Sequence, residues 1–222
     1  MGPKSTRSLS QSVQNRSPLP DHSTLMSDLI HPPQFDTLLD EVRSAYLGQP
    51  DARRFAPFPD DITPQPVTAM QRPCAAHFMD GPVAPDSPYL ALHSAMKDAS
   101  PHMSWRATYE GTDIGDDFME RFGCFCIVGN NAPFASAALW AFMTYMPPGL
   151  DYPRHHHPAE ELYLIVSGRA DFMRDGAAPE TLEAGSCVYH ASNQPHAMRT
   201  TDQPALCLVF WRNHFGTPPV LS

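Results

Sequence analysis

The sequence has few charged residues, no basic excess and no long apolar run, and each shortage excludes a class of protein. Charged residues make up 18% of the 222 residues, and a formal net charge of −9 leaves no basic face for nucleic acid. No apolar run reaches the roughly 18 residues that a membrane span needs. Residues 1–20 also lack the apolar core of a signal peptide. We therefore expect a cytoplasmic protein that binds neither nucleic acid nor membrane.

Cysteine is too scarce and too scattered for a disulfide framework. The five cysteines are an odd number, and only Cys124 and Cys126 lie close together in the sequence. A single pair at that spacing matches neither a zinc ribbon nor a disulfide scaffold. We expect all five thiols to be reduced and mostly buried as small apolar groups.

The N-terminal half is poor in regular patterns and rich in proline. Residues 1–22 are polar and Ser-rich, which is typical of a disordered tail. Nine prolines between Pro50 and Pro88 predict extended backbone that wraps the protein without regular elements. Two amphipathic helices are predicted around this stretch, one from Asp36 as the capping residue to Tyr46, and one from the Ser87-Pro88 pair to about residue 98.

From Cys124 onward the sequence consists of short apolar runs separated by turn residues. This pattern is typical of a β sandwich or barrel. Strands are predicted near residues 124–128, 138–146, 161–167, 170–174, 187–190, 196–200 and 205–212. Turns are predicted at residues 175–176 and 183–185. The sequence thus divides into a tail (1–22), a helical and Pro-rich extension packed on the barrel (23–122), and a barrel that holds the functional site (123–215).

The nine residues His155-His156-His157-Pro158-Ala159-Glu160-Glu161-Leu162-Tyr163 carry the strongest functional signal. Alternate side chains of an extended segment share a face, so those at positions 155, 157, 161 and 163 can point the same way. Imidazole and carboxylate together suit a divalent Zn, Fe, Co, Ni or Mn ion. His156 and Glu160 have the opposite parity and are expected to point away. A fourth ligand is expected from a later strand. His190 and His196 lie on two different later strands and are both candidates.

The spacing around these histidines resembles the first cupin motif without a gap. The matching residues are Gly149, His155, His157, Glu161 and Gly168. The second motif fits less well. Gly185 and His196 match it, whereas Ala191, Asn193 and Thr200 stand where the pattern usually has Pro, Gly and Asn. The resemblance implies a mainly β fold, the cupin double-stranded β-helix, with an N-terminal helical extension. It also implies that His196 is the fourth metal ligand and that His190 is structural.

Three aromatic residues narrow the resemblance to one family. Tyr152 precedes His157 by five positions, Tyr163 follows Glu161 by two, and Trp211 ends a late strand. This combination is similar to the cupin-type dimethylsulfoniopropionate lyases of marine bacteria. The resemblance implies a metal-dependent carbon–sulfur lyase that releases dimethyl sulfide and acrylate, with Tyr163 as the base. Tyr152 and Trp211 would then face the sulfonium group of a small zwitterionic substrate, and cupin habit implies a homodimer.

Other functions fit the same residues. An iron-dependent cupin dioxygenase would use the same His and Glu ligands and would also need open metal positions for O₂. A non-catalytic cupin that binds a small molecule around a structural metal is a third possibility. From residue type alone, Tyr163 is as compatible with packing inside a barrel as with catalysis. Metal content and the oxygen dependence of turnover separate these three functions.

Overall fold

In the computed structural model, the described part of the chain comprises residues 31–222 together with Met1 and Gly2. The predicted tail, apart from those two residues, lies outside the described residues, as do residues 23–30 of the predicted extension. The helices are α1 (Pro33–Gly48), α2 (Pro50–Phe55), α3 (Pro73–Asp80), α4 (Leu90–Ala99) and α5 (Asp116–Arg121), with a 3₁₀ turn at Ser100–His102. The strands are β1 (Thr63–Pro64), β2 (Gly123–Val128), β3 (Phe134–Ala135), β4 (Trp140–Met146), β5 (Asp151–His156), β6 (Glu160–Arg174), β7 (Glu180–Glu183), β8 (Cys187–His190), β9 (His196–Arg199), β10 (Ala205–Arg212) and β11 (Val220–Leu221).

Both predicted amphipathic helices are present, with shifted starts. Helix α1 begins three residues before Asp36, with a proline in its first turn, so Asp36 lies inside the helix and does not cap it. Helix α4 begins three residues after Ser87, whose hydroxyl accepts a 3.0 Å hydrogen bond from the backbone N–H of Tyr89. Their apolar faces pack against each other and against the barrel in one buried cluster. This packing fixes the extension against the outer face of the sheet.

The prediction that residues 50–88 lack regular elements was wrong in part. Helices α2 and α3 both lie in this stretch, and each has a proline in its first turn, Pro50 in α2 and Pro73 in α3. The first helical position tolerates proline because its N–H would have no partner within the helix. These prolines therefore start helices, and a count of prolines alone overstates the loss of regular structure.

The strands form one continuous curled sheet whose order is β1-β3-β2-β4-β10-β6-β9-β5-β11, with β7 and β8 also paired to β6. The long strand β6 connects the two halves of this sheet. Its first half pairs with β8 and β10, and its second half pairs with β7 and β9. Successive side chains of β4 point to opposite faces of the sheet. Tyr145 packs with the helices and Phe142 faces the barrel interior. The expected fold class, mainly β with an N-terminal helical extension, is confirmed.

Most predicted strands are observed, and the two predicted turns lie where expected. The predicted strands at 161–167 and 170–174 are one 15-residue strand, β6, because the strand pairing continues through Gly168, which lies opposite Ala205. Gly168 has φ +73°, and a Cβ there would lie 1.8 Å from the carbonyl oxygen of Pro204. A glycine inside a strand can mark such a close backbone approach as well as a turn. Strands β1, β3, β5, β7 and β11 were not predicted.

Candidate active site

Four buried side chains from different elements converge inside the barrel. His155 is the last residue but one of β5, His157 follows that strand, Glu161 is the second residue of β6, and His196 begins β9. Each is at most 3% exposed. The pairing of β5 with β9 sets His155 directly opposite His196. Ligand atoms of His155, His157 and His196 lie within 4.8 Å of one another, a spacing suited to a shared ion.

The structure brings the predicted ligands together by a different route from the one predicted. The parity argument treated positions 155 to 163 as one extended segment. The chain instead leaves β5 after His156, turns, and enters β6 at Glu160. Two strands and the turn between them supply the ligands. His156 lies half-buried on the outer side, with Nδ1 2.7 Å from the hydroxyl of Ser222. Glu160 also points away and pairs with Arg212.

The ring orientation of the three histidines is fixed by backbone carbonyl groups. Nδ1 of His155 contacts the Pro153 carbonyl at 2.8 Å, Nδ1 of His157 contacts that of Ala159 at 2.9 Å, and Nδ1 of His196 contacts that of Gln194 at 2.8 Å. A carbonyl only accepts, so each Nδ1 donates, and in the neutral ring Nε2 carries a free lone pair. Carbonyl-anchored rings of this kind are the usual form of metal-ligating histidine.

Histidine nitrogen atoms without hydrogen-bond partners in this cluster are what a metal site requires. Nε2 of His157, His190 and His196 is buried and has no hydrogen-bond partner among the described residues. Buried polar atoms left without a partner destabilise a protein unless a ligand, ion or water completes them. Oε2 of Glu161 lies 3.4 Å from His157 Nε2 and 3.2 Å from His196 Nε2. Three imidazoles and one carboxylate are a donor set that fits a divalent transition metal.

The charge states of His155 and Glu161 at neutral pH suit ligation. Burial alone would lower the pKa of His157, but the charge of Glu161 raises it. Burial, reinforced by neighbouring His196, lowers the pKa of His155 to about 3, so its ring is neutral. Burial alone would raise the pKa of Glu161, but the charge of the adjacent His157 and the close contacts of Oε2 with nitrogen atoms of three histidines hold it well below its usual range. A neutral imidazole and an ionised carboxylate are the forms that bind metals.

Glu161 is held on both of its oxygens. Oε1 accepts a 2.7 Å hydrogen bond from the indole N–H of Trp211, and Oε2 lies 3.0 Å from Nδ1 of His190. The expectation that His190 is a satisfied structural histidine therefore needs correction, because its Nε2 is one of the buried atoms without a partner. His190 stacks on His196 with ring centroids 3.9 Å apart at 12°. His196 belongs to both possible ligand groups, whereas His190 belongs to one.

A cavity of about 240 Å³ opens beside this cluster, and the remaining predicted residues line it. Tyr163, Tyr152 and Trp211 all contribute to its wall. The Tyr163 hydroxyl makes no hydrogen bond to any described residue. Burial, then the charge of Glu161, raises its pKa well above the usual value for tyrosine. The Tyr152 hydroxyl is engaged with that of Tyr109 at 2.7 Å, and its ring stacks on His155 at 4.1 Å.

Several cavity residues were not identified from the sequence. The helical extension supplies Arg106, and β2 and β4 supply Cys124 and Phe142. Tyr109, in the segment before α5, was also not identified; it lies behind the cavity wall as the partner of Tyr152. These residues are distant in sequence from the histidine segment and carry no characteristic spacing. The Cys124-x-Cys126 pair was noted, and its alternation does point both thiols to the barrel interior.

The departures from the second cupin motif are accommodated locally. Asn193 adopts φ +56°, the left-handed conformation that asparagine tolerates better than most residues. The hydroxyl of Thr200 donates to the carbonyl of Pro147 at 2.6 Å and accepts from the backbone N–H of Leu150 at 3.0 Å. One short side chain thus ties the start of β5 to the end of β9.

No helix in the described part of the chain has the length and apolar character needed to cross a bilayer.

Comparisons with known proteins give consistent matches. The sequence profile of a family described as dimethylsulfoniopropionate lyase matches residues 51–207. The dimethylsulfoniopropionate lyase DddQ of Ruegeria pomeroyi is 44% identical over 190 residues, which cover 86% of this chain and 94% of that protein. The crystal structure of DddQ from the same organism superposes with a TM-score of 0.84 at 43% identity, over 86% of this chain and 97% of that one. A structure from work on the lyases RdDddP and RnDddQII gives 0.81 at 37% identity, over 85% and 97%.

Proposed function

Because the chain belongs to the dimethylsulfoniopropionate lyase family, we propose that it cleaves dimethylsulfoniopropionate to dimethyl sulfide and acrylate by β-elimination. The family resemblance and the enzyme class expected from the sequence, a carbon–sulfur lyase with a cupin barrel, are confirmed by these matches. The observation that carries the proposed reaction is the 44% identity to DddQ across 94% of its length. The cavity beside the histidine cluster provides the place where the reaction would occur.

The proposal assigns one divalent transition metal to His155, His157, Glu161 and His196. Its support is the donor set itself, three carbonyl-anchored imidazoles and a carboxylate, and the buried Nε2 atoms of His157 and His196 have no hydrogen-bond partner among the described residues. Fe, Zn, Mn, Co and Ni all suit these ligands. When bound, such an ion supplies positive charge that stabilises the negative charge developing as the α proton leaves. Elimination needs no change in its oxidation state.

Tyr163 is proposed as the base. Its hydroxyl lies in the cavity wall, two residues from Glu161, without a hydrogen bond to the described residues. Burial and Glu161 raise the pKa of Tyr163, and a divalent cation bound beside it would lower that pKa and favour the phenolate. In the elimination, the phenolate oxygen would take the α proton and the C–H electron pair would form the double bond of acrylate. The C–S electron pair leaves on sulfur, which departs as neutral dimethyl sulfide. Tyr152 is less available for this role because its hydroxyl is paired with that of Tyr109.

Trp211 and Tyr152 are proposed to face the sulfonium group. An aromatic face attracts a cation by roughly 0.5–2 kcal/mol, more as water is excluded. His155 covers one face of Tyr152, and the rings of Phe118 and Phe122 also pack on it with centroids 5.1 and 4.8 Å away, so Tyr152 offers the cavity only a small part of its ring. Phe142 adds a third ring, with its centroid 5.2 Å from that of Trp211. The aromatic wall would hold the sulfonium until it departs as an uncharged sulfide.

The proposal also retains three expectations from the sequence. These are the division of the chain after residues 22 and 122, a homodimer, and a cytoplasmic location. Limited proteolysis, size-exclusion chromatography with light scattering, and fractionation of the source cells test them in turn.

The experiment is an incubation of the purified, metal-analysed protein with dimethylsulfoniopropionate under air and under argon. Dimethyl sulfide in the headspace and acrylate in solution are measured together. We expect equal amounts of the two products and the same rate in both atmospheres, because elimination consumes no O₂. Turnover that requires O₂ would instead indicate a dioxygenase. The absence of both products would overturn the proposed function.

A further inference from the structure

Arg106 is a cationic side chain of the cavity wall with no carboxylate partner. Its backbone N–H donates to the carbonyl of Cys124 at 2.8 Å, which fixes its position beside β2. Among the described residues, no carboxylate oxygen lies within 4.0 Å of its guanidinium. Other arginines, such as Arg169 and Arg212, do form ion pairs. A charge left unpaired in a cavity wall is available to a ligand.

The surroundings of the guanidinium leave its donors available. Its central carbon lies 5.4 Å from the ring centroid of Phe142, a cation–π contact that orients the group without using its N–H bonds. The thiol of Cys126 is its hydrogen-bonding neighbour, and sulfur is a weak acceptor. A guanidinium carries five N–H donors in a planar fork that matches a carboxylate. The ligand chemistry that fits this position is therefore a small carboxylate.

Thr144 provides a second, independent observation. It lines the same cavity and is 6% exposed, and its hydroxyl has no partner of good geometry among the described residues. The nearby Cys207 thiol offers only a weak interaction. Thr144 lies on β4 two residues from Phe142, on the same face, and it pairs across the sheet with Cys124. The unpaired hydroxyl and the unpaired guanidinium thus belong to the same part of the wall.

Arg106 also lies between two neighbouring cavities. Together with Thr108 and Asn130 it lines both the cavity beside the histidines and an adjacent outer cavity of about 260 Å³. An acid that moves between solvent and the histidine cluster by this path passes the guanidinium. The ring of Phe142 lies between the guanidinium and Trp211, with its centroid 5.4 Å from the Arg106 central carbon and 5.2 Å from the Trp211 centroid.

We propose that Arg106 and Thr144 form a binding site for the carboxylate group of small organic acids. The identity of the acids rests on the proposed function: the substrate is bound as it enters and acrylate as it leaves. The site selects acids over neutral analogues of the same shape.

The binding test uses propionate, which has the carboxylate but no sulfonium, and the metal-free protein. Titration is followed by calorimetry or by chemical-shift changes, and propionamide serves as the neutral probe. We expect wild type to bind propionate and not propionamide, and Arg106→Met to weaken propionate binding by tenfold or more. Arg106→Lys should recover part of the affinity because it keeps the charge and loses the fork. Arg169→Met, on the surface, is the charge-matched control and should bind as wild type does.

Thr144→Val keeps the shape of the side chain and removes only the hydroxyl. It should weaken propionate binding several-fold without lowering the thermal midpoint, since the hydroxyl has no partner to lose. If Arg106→Met fails to fold, propionate binding by Thr144→Val still tests the proposed carboxylate site. Propionate binding that is unchanged in Arg106→Lys and Thr144→Val, or in a folded Arg106→Met, would overturn the proposal.

Steady-state kinetics provide a second readout. With dimethylsulfoniopropionate as substrate, Arg106→Met should raise KM and the inhibition constant of acrylate together, each by about the factor seen with propionate. Unchanged values for both would overturn the site while leaving the lyase function intact. A wild-type protein that binds propionate through Arg106 and releases no dimethyl sulfide would overturn the proposed function and leave the carboxylate site standing. The two failures are therefore distinguishable.

Discussion

The indole N–H of Trp211 donates a 2.7 Å hydrogen bond to Oε1 of Glu161. The two residues are paired across strands β10 and β6, so the sheet register fixes this contact. The family resemblance gave Trp211 only a role in holding the sulfonium. The structure adds a second role, because the bond leaves the other carboxylate oxygen of Glu161 directed at the histidines. A metal-ligating carboxylate is commonly oriented in this way by a neighbouring donor.

The two roles of Trp211 can be separated by substitution. Trp211→Phe keeps an aromatic face and loses the hydrogen bond, so metal affinity should fall by roughly 10- to 100-fold while KM at saturating metal changes little. Trp211→Ala loses both, and KM should rise as well. Competition with a fluorescent chelator measures the affinity, and headspace dimethyl sulfide measures turnover. Equal metal affinity in wild type and Trp211→Phe would show that the bond does not orient Glu161.

His156 and His157 are adjacent in sequence and differ in direction, which makes them a matched pair. His157→Ala removes a proposed ligand and should abolish both metal retention on dialysis and lyase activity. His156→Ala should keep most of both, because its ring lies outside the cluster and contacts Ser222. Elemental analysis of the dialysed proteins checks this. Equal metal loss in the two variants would contradict the assignment of ligands.

Gly168 and Gly176 both have positive φ and differ in their surroundings. Gly168→Ala places a Cβ 1.8 Å from the carbonyl oxygen of Pro204, so β6 or the segment before β10 must move. We expect a loss of more than about 2 kcal/mol in the free energy of unfolding. Gly176→Ala meets no atom within 4 Å and should cost only about 1–2 kcal/mol for the left-handed conformation. Urea unfolding of both variants compares the two costs, and similar losses would count against the close approach.

His93 makes the docking of α4 sensitive to acid. It is 3% exposed, its Nδ1 lies 3.3 Å from the Ser167 hydroxyl on β6, and burial, then the charge of Lys97, lowers its pKa to about 4. An unfolded histidine titrates near about 6.5, so between these values the unfolded state binds more protons and stability falls as pH falls. The full effect is at most about 3 kcal/mol and is complete near pH 4.

The matched variant is His93→Gln, which cannot titrate. Its unfolding free energy, measured in urea on metal-free protein, should decline less between pH 6.5 and 4 than that of wild type. Histidines of the metal cluster contribute equally to both proteins, so the difference isolates His93. Identical pH slopes would show that this histidine does not couple acid to stability.

The sequence was sufficient to predict the barrel and the residues that cluster inside it, because both depend on local patterns. His155, His157 and Glu161 stand at spacings that the first cupin motif shares, and the strands carry alternation that survives without tertiary information. The route by which the histidines converge was not predictable. A turn at residues 157–159 and an extended segment give the same alternation in this stretch, and only the pairing of β5 with β9 distinguishes them.

Residues that reach the site from elsewhere in the chain escaped prediction for a different reason. Arg106 and Tyr109 come from a segment with no periodicity, and their positions depend on how the extension packs against β2. Helices α2 and α3 were missed because the penalty for proline inside a helix does not apply in its first turn. Long-range packing decides both cases, and a single sequence does not encode it in any local spacing.

The central claim is that Tyr163 removes the α proton of dimethylsulfoniopropionate beside a metal held by the histidine cluster. The most direct measurement is dimethyl sulfide release by Tyr163→Phe and by wild type, both loaded to equal metal content and checked for equal thermal midpoints. A phenyl ring cannot accept a proton, so turnover should fall by roughly 10²–10⁴ with metal retained. A Tyr163→Phe enzyme that releases dimethyl sulfide within a few-fold of wild type would contradict the account.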